Sequence, residues 1–169
     1  LMLLLGTMTW EDVLAERTGW DTLIWFGGLV GMATMLSKLG LFKWFAAFVT
    51  ANVSGMAWQP ALVLLVLIYT YSGYLFASLT AHTVALYAPM LTIAVAVGAP
   101  PLFAALILAF FSSICVSLTH YSGGPSPVYF GSGYCSLKRW WSVGFLVSVV
   151  NLVIWLGVGS VYWQMLGLF

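Results

Sequence analysis

The chain has 169 residues, of which 63% are apolar and 5% charged, with a formal net charge of +1 at pH 7. A soluble chain is about 45–50% apolar and about 25% charged, and so few charges cannot cover a globule of this size without leaving apolar patches that aggregate. The composition excludes a soluble enzyme, a nucleic-acid binder and a disordered chain. It predicts an all-α membrane protein, because the apolar runs are long and continuous rather than short and alternating.

A bilayer core of about 30 Å needs about 20 helical residues. Residues 1–8 read as the tail of a truncated span, with no basic leader and no small-residue cleavage site. Residues 9–21 carry all four acidic side chains and read as a loop or a short surface helix. A full span follows over 20–39, then a shorter apolar stretch over 41–53. Residues 60–77 and 83–97 are two apolar stretches separated by the small polar patch 78–82. After the Gly98-Ala99-Pro100-Pro101 turn, residues 102–116 are apolar and end in a polar break over 117–127. Residues 128–134 continue briefly, Lys138-Arg139-Trp140-Trp141 mark a loop edge, and the last span is 142–162.

Lys38, Lys43, Lys138 and Arg139 are expected on the cytoplasmic side, with the acidic stretch opposite. That parity holds if 60–97 is a re-entrant hairpin, and equally if it is two full spans. The patch 78–82 has no charged residue and few turn residues, which favours a buried tip. Trp10, Trp20, Trp58, Trp140, Trp141 and Trp163 fall at predicted span ends, the headgroup level that such rings prefer. Gly27 and Gly31 share a helix face and are expected to pack closely on a neighbour. Cys115 and Cys135 fit neither a metal site nor a disulfide framework and read as small packing residues. Ser148, in the last span, reads as a bystander.

The two polar breaks carry the chemistry. Non-helical backbone at membrane depth survives only where protein buries it or a watery cavity lines it, and transporters build midplane sites from such broken helices. Ser78-Leu79-Thr80 and Ser117-Leu118-Thr119 share a pattern, and each is followed within two residues by a histidine, His82 or His120. Ser78 or Thr80 is placed to cap the helix through 83–97, and Ser126 to cap a helix that begins at Pro127. Gly123-Gly124, before Pro125, lets backbone approach a ligand. Two helix N-termini with free N–H donors suit an anion, particularly one with two carboxylates. Either histidine suits a structural hydrogen bond as well as a ligand contact. No catalytic residue and no metal ligand set is predicted; Ser122 or Ser126 with His120 lacks both a G-x-S-x-G turn and an intramembrane carboxylate. A channel would show a continuous polar stripe along a helix, and only two local breaks are found.

The stretch SLTHYSGGPSPVYFGSGY at 117–134 resembles the signature of the divalent anion:sodium symporter family, in its branch of 2-oxoglutarate/malate translocators and citrate/succinate or tartrate/succinate antiporters. ASLTAH at 77–82 resembles the tip of that family's second hairpin, and WDTLIWFGG at 20–28 and YWQMLGLF at 162–169 are similar to the same branch. The resemblance implies the C-terminal half of a homodimeric secondary transporter, built from two inverted repeats that share a midplane site. It implies an elevator-like movement and exchange of 2-oxoglutarate, malate, succinate, citrate or tartrate across a bacterial inner membrane or a plastid inner envelope. Residues 1–53 would then be scaffold and dimer interface, 60–97 the re-entrant hairpin, 102–135 the broken helix and 140–163 the last span. Ser78, Leu79, Thr80, His82, Ser117, Thr119, His120, Gly123, Gly124, Pro125 and Ser126 would face substrate. Sodium-coupled members carry Ser-Asn-Thr at the tip. Leu79 stands at its middle position without a side-chain oxygen, which argues against a sodium ion and for the antiporter branch over a sodium-coupled symporter.

Overall fold

A computed structural model describes residues 2–3, 5–53 and 55–167. Among these residues all regular structure is helical: α1 (Trp10–Ala15), α2 (Arg17–Lys38), α3 (Leu41–Val53), α4 (Trp58–Ser72), α5 (Leu79–Ala96), α6 (Pro101–Ile114), α7 (Ser126–Gly131), α8 (Leu137–Val153) and α9 (Ser160–Met165). A π-helical stretch, Ile154–Gly159, joins α8 to α9. Trp58–Leu75, Leu79–Ala96 and Leu137–Met165 are each long and apolar enough to cross a membrane, and Pro101–Ser117 is a shorter apolar helix.

Local chemistry sets most boundaries. Thr9 and Asp12 form a reciprocal capping box at α1, with Thr9 N–H to Asp12 Oδ2 at 2.8 Å and Asp12 N–H to Thr9 Oγ1 at 3.2 Å. Gly98, at φ +91°, ends α5 and turns the chain into Pro100-Pro101, where α6 starts. Ser136 caps α8. The described residues before Thr9 form turns rather than the tail of a span, with Gly6 at φ +68°, where a continuous helix is not maintained.

The helices α4, α5 and α6 build the core, where Leu65, Val66 and Tyr69 meet Leu86 and Met90 of α5 and Ile107, Leu108 and Phe111 of α6, all fully buried. α6 runs alongside α4 in the same direction: Trp58 meets Phe103 edge-on at 6.4 Å, and Tyr69 Oη lies 2.7 Å from Ser112 Oγ. The α8–α9 rod runs the other way, with Trp141 on Tyr74, Trp155 on Phe110 and Trp163 on Phe103. At about 1.5 Å per residue its 29 residues span roughly 43 Å, more than the apolar core of a bilayer. The first turns of α3 reach the far end of α4: Leu41, Trp44 and Phe45 line a cavity of about 110 Å³ with Ser72, Leu75, Phe76 and Leu86. Lys43 therefore stands at the same end of the molecule as Lys138 and Arg139, the arrangement that the basic residues predict. Gly27 and Gly31 have nothing within 4 Å of an added Cβ, so the expected close packing finds no partner among the described residues.

Candidate functional site

Both polar breaks lie at that end, and the fold brings them together. α4 closes with a tight 3-10 turn, Gly73–Leu75, and the chain crosses to α5 through the buried residues Phe76 and Ala77. α6 ends likewise at Cys115–Ser117, after which the backbone leaves the helix until Ser126. Gly73 makes the two turns fit: a Cβ there would lie 3.3 Å from Cys115 Cβ. Leu79 N–H donates to Ser122 O at 2.9 Å, joining the hairpin tip to the second break by a backbone hydrogen bond. Tyr121 Oη donates to Tyr74 O at 2.8 Å and makes a second tie.

Around this junction the predicted residues divide. Ser78 caps α5, its Oγ accepting from Ala81 N–H at 3.3 Å, as one of the two expected alternatives requires. Thr80 is exposed on the first turn of α5. Thr119 is fully buried, and among the described residues its Oγ1 makes no hydrogen bond of full geometry, with the Tyr121 hydroxyl close by. His120 is half-buried in an aromatic box of Tyr121, Phe130 and Trp141, and its Nδ1 accepts from Trp141 Nε1–H at 3.2 Å. That bond places the proton of the neutral ring on Nε2. Gly124 has open space where a Cβ would stand, while Pro125 is exposed beside it.

Other residues are spent on holding the junction. His82 is 1% exposed and stands in the core between Tyr69 and Phe76, not at the break. Its Nε2 lies 2.9 Å from Tyr69 O and 3.0 Å from Ser72 Oγ, and Nδ1 faces Cys115 Sγ at 3.7 Å. A carbonyl only accepts, so Nε2 carries the proton, and the ring is a structural pin between the two arms of the hairpin. Ser117 Oγ donates back to Ile114 O at 3.0 Å and so satisfies the end of α6. Gly123 is tight for an internal reason, because a Cβ there would come 2.5 Å from Val116 Cγ2 and 3.2 Å from Ser126 Oγ. The cap of α7 also differs from expectation. Pro125 is the N-cap and Ser126 the first helical residue, since Pro125 already has helical backbone angles and its carbonyl accepts Tyr129 N–H at 3.1 Å. α7 is thus a six-residue turn without a side-chain cap.

Three contributors have little or no signature in the sequence. Ser122, buried, donates from Oγ to Val116 O at 2.8 Å and to Thr119 O at 3.3 Å and fixes the loop's curl; its hydroxyl is committed to carbonyls rather than to His120. Gly144 of α8 lies against the Ser117 carbonyl. Ser148 is no bystander: it is fully buried, with Oγ 3.3 Å from Tyr71 Oη and donating to Phe145 O at 2.7 Å, so it fastens α8 to α4.

Over residues 1–169 the chain matches the family described as the sodium:sulfate symporter transmembrane region. It is 46% identical to dicarboxylate transporter 1, chloroplastic, of Arabidopsis thaliana, over 99% of this chain and 30% of that protein. It is also 46% identical to YflS of Bacillus subtilis, named as a candidate malate transporter, over 99% of this chain and 35% of that one. Inner membrane protein YbhI of Escherichia coli is 38% identical over 98% of this chain and 35% of its own length. The chain spans about a third of the length of these curated relatives. It is an integral membrane protein and belongs to the sodium:sulfate symporter transmembrane family.

Proposed function

We propose that this chain supplies one hairpin and one broken helix to the substrate site of a secondary transporter that exchanges di- and tricarboxylates. The observation that carries the reading is the Leu79 N–H to Ser122 O bond, which joins two Ser-Leu-Thr segments distant in sequence into one polar junction. Beside it stand the N-terminus of the 18-residue helix α5, the Thr80 hydroxyl, the buried Thr119 hydroxyl, which makes no full hydrogen bond among the described residues, and the open space over Gly124. A helix N-terminus favours an anion, and hydroxyls donate to carboxylates without requiring a resident cation. The names of the plant and bacillus relatives, dicarboxylate and malate transporters, support the substrate class.

On this reading 60–97 is a re-entrant hairpin. In support, Gly144, which meets the break, stands seven residues inside the start of α8, about 10 Å of helix. The transporter is a homodimer in which hairpin and broken helix move as an elevator against a scaffold that includes 1–53. Its membrane is a bacterial inner membrane or a plastid inner envelope. Exchange is sodium-independent, because Leu79 offers no side-chain oxygen to an ion at the tip. His120 is the histidine available to face substrate; protonated with a dicarboxylate bound, it would offset part of the substrate charge crossing a low-dielectric barrier. The test is uptake of labelled malate or succinate by proteoliposomes of the full-length protein, with sodium or potassium outside and with or without internal dicarboxylate. Uptake that requires internal dicarboxylate and ignores sodium is expected. Uptake driven by a sodium gradient into empty vesicles would overturn the exchange reading in favour of symport.

A further inference from the structure

We propose that the shape of the substrate loop is set by two steric seats outside the polar residues, Gly144 of α8 and Val116, which makes both positioning residues. The inference rests on the reading of that loop as part of the substrate site. Where the chain leaves the helix at Leu118, the carbonyls of Ser117 and Leu118 no longer have helical amides to accept from. α8 closes over them at its buried glycine. A Cβ on Gly144 would run into Ser117 O and stand 3.3 Å from Leu118 O and from Ser117 C. All three atoms are backbone, so none can swing aside; any side chain at 144 must push the break itself. Nothing in the turn geometry requires glycine at 144, which lies inside α8 with no positive φ. The close approach alone requires it.

The second seat works from within the loop. Val116 Cγ2 occupies the space that a Cβ on Gly123 would need, at 2.5 Å. Gly123 also lacks a positive φ, so an alanine there is opposed by Val116 and by Ser126 Oγ rather than by its own backbone. Between the two seats lie Thr119, with its buried hydroxyl, and Ser122, whose carbonyl holds the hairpin tip. A shift of the Ser117 carbonyl moves Thr119, two residues on. Misplacing a binding group by about 1 Å costs up to about a hundredfold.

The experiment uses the full-length protein in proteoliposomes and separates KM from the amount of folded carrier. Gly144→Ala and Gly123→Ala are expected to raise KM for malate roughly tenfold or more, and Val116→Ala on Gly123→Ala is expected to restore it. A residue that merely packs would lower the number of carriers and leave KM alone. An unchanged KM in Gly144→Ala, or no rescue by Val116→Ala, overturns the proposal; the second arm decides if Gly144→Ala yields too little protein. A substrate-free reading runs beside these: Cys115, buried in the turn before Val116, should be alkylated faster in Gly144→Ala, measured at that peptide by mass spectrometry. If wild type shows no saturable dicarboxylate exchange, the functional reading fails. The alkylation rate then decides the seat alone, and an unchanged rate overturns it.

Discussion

Replacing Leu79 by proline deletes the N–H of the tie and sets the ring Cδ where that hydrogen points, against the Ser122 carbonyl, so the tie cannot form. Leu79 is the first residue of α5, a position where proline is favoured because the N–H there has no helical partner. The preceding residue must be extended, and Ser78 already is, at φ −147° and ψ 125°. The Ser78 cap to Ala81 and the first helical bond, His82 N–H to Ser78 O at 3.0 Å, both survive. What disappears is the 2.9 Å bond from Leu79 N–H to the carbonyl of buried Ser122, and that carbonyl must also move off the ring. Leaving a buried acceptor unpaired costs about 1–3 kcal/mol. If the tie is formed in the binding-competent state and broken elsewhere, substrate affinity falls roughly fivefold to 150-fold. Leu79→Ala keeps the N–H and trims the same side chain, so the difference between the two variants reads the whole loss of the tie, the missing bond and the displaced carbonyl together. The assay is counterflow of labelled malate in proteoliposomes, with the melting midpoint of the detergent-solubilised protein measured in parallel. Equal affinities and equal midpoints for Leu79→Pro and Leu79→Ala would refute the claim that this bond holds the junction.

Thr119→Val removes a buried hydroxyl that makes no full hydrogen bond among the described residues, so the ligand-free protein should melt close to wild type. Affinity for dicarboxylate should nonetheless fall about tenfold through the lost bond to substrate, with exposed Thr92→Ala, four residues from the end of α5, as control. His82→Ala opens the core and strips Tyr69 O of a donor, which should cost about 2–4 kcal/mol in thermal stability while KM per folded carrier stays at the wild-type value. The Thr9 N–H and then the Thr9 hydroxyl hold the Asp12 carboxyl below the ordinary range. The α1 cap is therefore fully formed above about pH 4 and lost as pH falls through the lowered value, which amide protection at Val13 and Leu14, corrected for intrinsic exchange, will follow. Single cysteines at 12 and 139, treated with an impermeant thiol reagent in intact cells, should label at 12 and not at 139.

The helices were legible because apolar run length and turn chemistry act locally. The stretch 41–53 is α3 to the residue, and Gly98-Ala99-Pro100-Pro101 is the corner between α5 and α6. The caps were legible only where the hydroxyl had no competitor. Ser78 is itself extended, follows the buried residues Phe76 and Ala77, and takes the cap. Ser126 follows a proline whose fixed φ already suits a helix, so the helix begins one residue earlier and the hydroxyl lies inside it. The π-helical stretch Ile154–Gly159 had no signal in a run of apolar residues and glycines. It accompanies the stacking of Trp155 and Trp163 on Phe110, a tertiary contact that no local pattern encodes.

The two Ser-Leu-Thr segments show where local reading of the site stops. Each carries a histidine close behind, four residues after the serine in the first and three in the second, and nothing in the pattern tells their roles apart. In the first segment the chain is entering a helix, so the fourth residue after the cap, His82, turns back under the hairpin and meets the carbonyl end of α4 at Tyr69. In the second the chain is leaving a helix, so the residue after Thr119 is carried outward, and His120 lands among Tyr121, Phe130 and Trp141. The same four residue types thus pin the fold in one place and border the polar junction in the other, and the sense of the helix at each break decides which. The threonines divide by the same rule. Thr80, on the opening turn of α5, is exposed, whereas Thr119, past the closing turn of α6, is buried, its hydroxyl making no full hydrogen bond among the described residues. A polar pattern at a break marks where backbone must be satisfied. Which of its members remain for a ligand follows only from what packs behind them, and here those partners are Ser72, Cys115 and Gly144, residues with no polar pattern of their own.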